Sequence, residues 1–230
     1  MHIVTLSFDD GFIKSYTRIA EIYEAHGMSA CLNVIASGHE KTFKTPDVWH
    51  KGFPKGDFKL WNELADRGHE VMPHGYKHAD KGRLPYKEAV DLMGRCLKVF
   101  EENLAGFKSK KAVFNFPYNS SSPKTEAWLK PRVRAFRTGG PCINPLPGKK
   151  TKRITCGGFG PGNCEKHLDG WIKKLLSQPS GWLVYNTHGL DKEGWGPIRA
   201  SYLDKLLDRL SRIPSVRVLP AAKALDTAVS

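Results

Sequence analysis

Residues 2–12 read HIVTLSFDDGF. The apolar run up to Phe8 has the length and composition of a buried strand. It ends in two adjacent carboxylates, Asp9 and Asp10, followed by Gly11. One aspartate there would suit a solvated turn. Two, directly behind a buried strand, suit a site, because successive residues leaving a strand point in different directions and can serve different ends.

Working outward, strand-like and helix-like segments alternate. Residues 15–26 form a helix with Ile19, Ile22 and Tyr23 on one face, closed by Gly27. Residues 30–35 read as a strand, 59–68 as a helix, and 69–74 as a strand running into His74. The clearest helix spans 86–106, with Ala89, Leu92, Met93, Cys96, Leu97, Phe100 and Leu104 as its apolar stripe. After it come a strand at 112–116, a helix from Ser122 and Pro123, and a strand at 133–137. Residues 139–164 read as a Gly/Pro-rich loop and 165–177 as a helix. Strand 182–188, helix 200–212 and strand 216–219 complete the chain.

About seven strands alternating with helices predict an α/β fold with a mostly parallel sheet. No shift in composition divides residues 1–230, so one catalytic domain is expected. Such folds carry functional residues at the C-terminal ends of their strands. Those ends supply Asp9 and Asp10, His74, Asn115 to Tyr118, Arg137 and His188.

Hydrophobic residues make up 40% of the 230, enough for a sizeable core. No apolar run reaches the roughly 18 residues of a membrane span, and no signal-peptide pattern opens the chain; a cytoplasmic location is expected. The net charge of +13 favours anionic partners. No nucleic-acid-binding module is evident, so the charge reads as a solvated surface or a field that steers substrate.

The five cysteines are too few, and odd in number, for a disulfide scaffold. Cys31 and Cys96 read as core. Cys142, Cys156 and Cys164, with His167, lie in or beside the 139–164 loop. They could ligate a structural zinc, or Cys156 and Cys164 could pair in an oxidising compartment; incidental cysteines in a loop fit the long spacings best. The loop also carries Lys149, Lys150, Lys152 and Arg153, and is expected to drape over the site and meet an anionic group on the substrate. Trp195, between glycines, is either a core plug or an aromatic platform for a sugar.

His74-Gly75-Tyr76-Lys77-His78 spaces two imidazoles four residues apart, which one helical turn would place on the same side. Two imidazoles and a carboxylate make a common zinc site with open positions for water and substrate. The plain alternative is a loop carrying two solvated histidines. The aspartate pair predicted on the same rim favours the metal site.

SFDDG, HGYKH, NFPY and LVYNTH, in that order and separated by strand–helix units, resemble the motifs of the polysaccharide deacetylase family (carbohydrate esterase family 4). The resemblance runs from residue 2 to about 220, and the first two motifs are its most specific part. It implies a distorted seven-stranded (β/α) barrel and metal-dependent hydrolysis of an acetamide, a non-peptide carbon–nitrogen bond. Carried over residue by residue, it implies that Asp10, His74 and His78 bind the metal and that Asp9 is the general base. It further implies that the backbone N–H of Tyr118 steadies the oxyanion and that His188 protonates the leaving amine. Zinc is the expected metal; the ligand set also suits cobalt or nickel. The implied substrate is an N- or O-acetylated sugar or glycan, with an anionic one favoured by the charge.

Two departures stand out. Asn115 occupies the place where the family's third motif begins with an arginine that holds the base; an amide could orient Asp9 but not lower its pKa as a cation would. No counterpart of the family's tryptophan–aspartate motif, which tunes the catalytic histidine, is found. Arg137 matches an arginine common in the family and is expected near the rim, beside the substrate. These departures suit a branch that does not act on a polymer. Two alternatives follow: a sister amidohydrolase acting on a small amide or formamide, and a binding protein that kept the scaffold and lost turnover. Retention of Asp9 and His188 argues against the second.

Overall fold

The computed structural model describes residues 1–160 and 162–228. β1 (His2–Phe8) is buried along its whole length, which is why it reads as a continuous rather than alternating run. It is followed by α1 (Ile13–Ala25), β2 (Cys31–Val34), α2 (Phe58–Asp66), β3 (Glu70–Pro73), α3 (Tyr86–Asn103), β4 (Val113–Asn115), α4 (Pro123–Leu129) and β5 (Ala135–Gly139). Then come β6 (Ile143–Asn144), β7 (Arg153–Cys156), α5 (Cys164–Leu176), β8 (Gly181–Thr187), α6 (Ala200–Ser211), β9 (Val216–Val218) and α7 (Ala221–Asp226). Local chemistry sets several starts. The Asp57 carboxylate accepts the N–H groups of Lys59 and Leu60 at the head of α2. Ser122 and Thr125 form a reciprocal cap on α4, with Pro123 in its first turn as the sequence predicts. Among the described residues no helix is long and apolar enough to cross a membrane.

Two hydrogen-bonded sheets form the wall. One runs β3-β2-β1-β8-β6, and the other β4-β5-β7. All pairings are parallel except that of the short β6 with β8. The sheets meet at two seams. A parallel bridge between Gly157 and Tyr185 joins the end of β7 to β8. At the other seam the Asn115 side chain of β4 reaches the Pro73 carbonyl of β3. The result is a distorted (β/α) barrel of β1, β2, β3, β4, β5, β7 and β8, in the architecture expected.

Its membership differs in one place. β7 lies within the stretch that the sequence assigns to loop. It has four residues, of which only Ile154 is aliphatic, and Arg153 at its head is exposed. β9, predicted as the last strand of the series, instead pairs with the lower half of β1, matching His2 to Val216 and Val4 to Val218.

The basic run is therefore misplaced by the sequence reading. Lys149 to Arg153 lead into the start of β7, and β7 runs parallel to β5 with Arg153 opposite Phe136. Lys152 donates to the Val133 carbonyl just ahead of β5. The run lies at the N-terminal end of the barrel, away from the strand ends that carry Asp10 and His188, so it does not drape over the site.

Residues alternate strictly into the barrel. Ile3, Cys31, Val113, Ala135, Ile154, Trp182 and Val184 form one buried cluster, closed from below by Ala221, Ala224 and Leu225 of α7. α7 itself has no counterpart in the sequence reading. Its first turn is held by Glu70, whose Oε2 accepts the N–H groups of Ala222 and Lys223 at 2.8 and 3.3 Å. The larger cluster packs the outer faces of the strands against the helices. Higher inside the barrel the filling turns polar: Thr5, Ser7, Asn33, Asn115 and Arg137 are all buried.

Candidate active site

The polar layer explains where Asp9 points. It continues the inward series of Ile3, Thr5 and Ser7, so its carboxylate sits on the barrel axis. Four protein donors reach it. Oδ1 accepts from Asn33 Nδ2 at 2.8 Å and Arg137 Nη1 at 3.0 Å. Oδ2 accepts from Arg137 Nη2 at 2.6 Å and Asn186 Nδ2 at 2.7 Å. A carboxylate offers about four lone-pair sites, so Asp9 is fully occupied by the protein. Burial by itself would raise its pKa; the Arg137 guanidinium, with His74 and His188, outweighs it and holds the carboxyl below its usual range.

Asp10 turns the other way. Its φ is +86°, and that of Gly11 is also +86°. A left-handed backbone is strained at an aspartate, and two such residues in succession swing the chain off the strand. Gly11 could not be replaced cheaply, since a Cβ there would meet the Trp61 ring at 3.0 Å.

The Asp10 carboxylate faces three imidazoles. His50 Nε2 lies 3.2 Å from its Oδ2, while His78 Nε2 and His74 Nε2 lie 3.5 and 3.6 Å from its Oδ1. His74 Nε2 is equally 3.6 Å from Asp9 Oδ2. Burial opposes ionisation of Asp10, but His78 and His50 hold its pKa well below the ordinary value. His74 is pushed down to about 3, chiefly by burial, and is neutral at pH 7.

The donor set suits a divalent cation. Asp10 Oδ1 and His74 Nε2 are both buried without a hydrogen-bond partner among the described residues, which is costly unless something else satisfies them. The far nitrogens fix the tautomers. His74 Nδ1 is 3.0 Å from the Asn115 carbonyl, which can only accept, so Nδ1 carries the hydrogen and Nε2 offers its lone pair. His78 Nδ1 is held likewise by Asp47 Oδ2 at 2.7 Å. The His78 hydrogen bond in turn keeps the Asp47 carboxyl well below its usual range, with Tyr118 assisting. Below the loop, buried Lys81 donates to the carbonyls of Lys77 and Ala79, on either side of His78.

These groups line a cavity of about 300 Å³. His188 enters from the end of β8, its ring edge-on to Trp195 with centroids 5.6 Å apart. Burial lowers its pKa, and its Nδ1 is buried without a partner among the described residues. Trp195 is part-exposed on the cavity wall and is not a core plug. Tyr118 also lines the wall on a left-handed turn of φ +57°, its hydroxyl on Asp47 and its ring 4.4 Å from that of His78.

Of the residues singled out in the sequence, Asp9, Asp10, His74, His78, Tyr118, His188 and Trp195 thus meet at one cavity. Two do not line it. Asn115 does not orient Asp9: its amide donates to Asn33 Oδ1 at 2.7 Å and to the Val113 carbonyl at 3.0 Å. Arg137 is buried beneath the rim and grips Asp9 instead of facing substrate. The two are register partners on β4 and β5. The cation that the third motif lacks is therefore supplied from the neighbouring strand.

His50, Asp47, Trp49, Asn33 and Asn186 escaped the sequence reading. A signal existed for Asn33, a polar residue inside an apolar strand. His50 and Asp47 sit in a polar loop with no motif around them. Cys142, Cys156 and Cys164 are free and form no metal group with His167 among the described residues. Cys156 contacts the Asn119 side chain, whereas Cys164 contacts the Phe159 carbonyl.

A family model described as polysaccharide deacetylase matches residues 1–131. No curated protein matches the sequence. Among solved structures, the Xyl-CE4 domain of a multidomain xylanase from the hindgut metagenome of Trinervitermes trinervoides is similar at a TM-score of 0.64 and 12% identity. That match covers 98% of this chain and 90% of the other. Peptidoglycan deacetylase PdaC from Bacillus subtilis gives 0.60 and 13%, over 97% and 90%. The Puue allantoinase gives 0.66 and 12%, over 92% and 70%. At such identities the likeness is one of fold.

Proposed function

The chain belongs to the polysaccharide deacetylase family, and from that premise we propose that it is a metal-dependent hydrolase that removes acetyl groups from a soluble acetylated sugar or a glycoconjugate precursor. The observation that carries this reading is the pair of aspartates: one is saturated by Arg137, Asn33 and Asn186 on the barrel axis, the other is ringed by imidazoles.

Asp10, His74 and His78 would hold the cation, zinc by default. Bound there, a divalent cation polarises an amide carbonyl and makes a nearby water more acidic. The chain's own groups do the rest. Asp9 takes the proton of the attacking water, for which one of its four donors must yield. Asn186 is the one that yields, since it is neutral and faces the cavity, whereas Arg137 is charged, bidentate and buried beneath. Tyr118 stands on the opposite wall, where its backbone N–H meets the developing oxyanion. His188 delivers a proton to the departing amine from beside Trp195. Trp195 and Trp49 offer aromatic faces to a sugar ring.

A cavity of about 300 Å³ stands at the small end of ligand sites. It favours a single sugar unit or a chain end over the middle of a polymer, and it keeps the small-amide reading open as the second choice. The deciding experiment couples metal analysis to a release screen over N-acetylglucosamine oligomers, O-acetylated xylan and small amides. Acetate from the oligomers supports the deacetylase. Ammonia or formate from a small amide, with no acetate from any sugar, replaces it by the sister reaction.

A further inference from the structure

We infer that His50 is a fourth protein ligand of the cation, adding a third imidazole to Asp10, His74 and His78; this rests on the metal-dependent reading above. His50 comes from a segment between β2 and α2 that the aspartate and histidine motifs do not include. Its Nε2 is nevertheless the nitrogen nearest to the Asp10 carboxylate, at 3.2 Å against 3.5 and 3.6 Å for His78 and His74. Asp10, His50 and His78 each present one ligand atom within 4.8 Å of the other two. Donors bonded near ~2 Å to one small cation lie within about 4 Å of one another, so a shift of under about 1 Å would seat all three on it. His74 stands outside that trio, its Nε2 3.6 Å from Asp10 Oδ1.

The ring is placed with care for a residue in an irregular loop. It stacks with Phe43 at 6.2 Å and 28°, meets Phe12 edge-on at 5.7 Å, and lies 4.8 Å from the His78 ring. It is buried, and its Nδ1 has no hydrogen-bond partner among the described residues. Among the described residues, then, His50 differs from His74 and His78 in having no group behind the ring to fix its tautomer, and the aromatic contacts alone orient it. Three residues earlier the same segment supplies Asp47, which orients His78 and accepts the Tyr118 hydroxyl. One short stretch thus gives the site both a ligand and the carboxylate that fixes another ligand's tautomer.

The rival role for His50 is that of a hydrogen-bond donor to Asp10 that never touches the metal. Zinc binding by the full-length chain separates the two. Stoichiometry and Kd are measured against a competing chelator, and X-ray absorption counts the imidazoles on zinc, for the wild type, H50F, H50Q and H78A. Phenylalanine fits the aromatic cage formed by Phe12 and Phe43, and glutamine keeps a donor for Asp10. The expected result is three imidazoles in the wild type and two in both His50 variants. Kd should rise by more than about a hundredfold, beyond the usual cost of an outer-shell change. Two imidazoles in both the wild type and H50F, or a wild-type Kd in H50Q, would overturn the assignment while leaving the three-ligand site intact. A wild type that binds no zinc, or H78A that binds it unchanged, would overturn the metal reading and this inference with it.

Discussion

Arg137 and Asp9, 128 residues apart in sequence, form a buried two-point ion pair inside the barrel, with Nη1 on Oδ1 at 3.0 Å and Nη2 on Oδ2 at 2.6 Å. Both groups are buried, and of the two only Asp9 lines the cavity. Breaking one side leaves an uncompensated charge, which typically costs about 3–5 kcal/mol. Arg137→Met should therefore lower unfolding stability by an amount of that order and raise the pKa of Asp9. Arg137→Lys, which keeps the charge but loses the fork, should fall between. Urea denaturation at pH 7 checks both; an unaltered midpoint in Arg137→Met would refute the pairing.

The two aspartates should separate in a metal assay. Asp10→Ala, His74→Ala and His78→Ala should each bring zinc content close to zero, while Asp9→Asn should keep it and lose at least about a hundredfold in turnover. Full metal content in all three ligand variants would sink the site as drawn. An active Asp9→Asn would sink the role given to Asp9.

Acid should unfold the metal-free protein through His74. Its folded pKa of about 3 lies below the ordinary 6.5 because burial disfavours the cation. The unfolded chain then binds the proton more readily, so the stabilisation is complete above pH 6.5 and drains away as pH falls from there toward 3. The loss should be on the order of a few kcal/mol, and His74→Phe should flatten that part of the profile. Tm measured from pH 7 down to 4 on both proteins tests it.

Glu70 has the opposite sign. Burial raises its carboxyl to about 7, against an ordinary 4.5, even though the N–H groups of Ala222 and Lys223 favour the anion. Folding prefers the neutral acid, so a penalty grows as pH rises from 4.5 through 7. Glu70→Gln keeps an acceptor for α7 and should gain stability, by about 2 kcal/mol, at pH 8 relative to pH 5. An equal effect at both pH values would dismiss the ionisation as the cause.

The basic run offers a control. Replacing Lys149, Lys150, Lys152 and Arg153 together by alanine should leave KM and its dependence on salt unchanged, because the run lies at the end of the barrel opposite the cavity. A KM that rises and loses its salt dependence would show that the field reaches the site after all.

What the sequence revealed followed from how far each signal travels along the chain. The α/β alternation, the aspartate pair and the histidine spacing are local patterns, and the strand-end rule carries them to one rim. Arg137 and Asn115 show where that reach stops. Their places in the sequence were known, but which of the two grips Asp9 depends on the register between β4 and β5 and on which face of each strand looks inward. β7 was hidden because four residues with one aliphatic side chain carry too little periodicity to stand out from glycine-rich surroundings. His50 lay in a segment with no regular pattern at all, and only the folded chain brings it to Asp10.

The left-handed backbone at Asp10 bears on how far this protein can be improved. A glycine at that position would remove the strain, worth about 1 kcal/mol or more, at the expense of the carboxylate that the three imidazoles face. Selection for heat resistance alone would drift toward that sturdier, inert molecule. A search for hardier variants should therefore hold residue 10 fixed and look for its gains elsewhere in the fold.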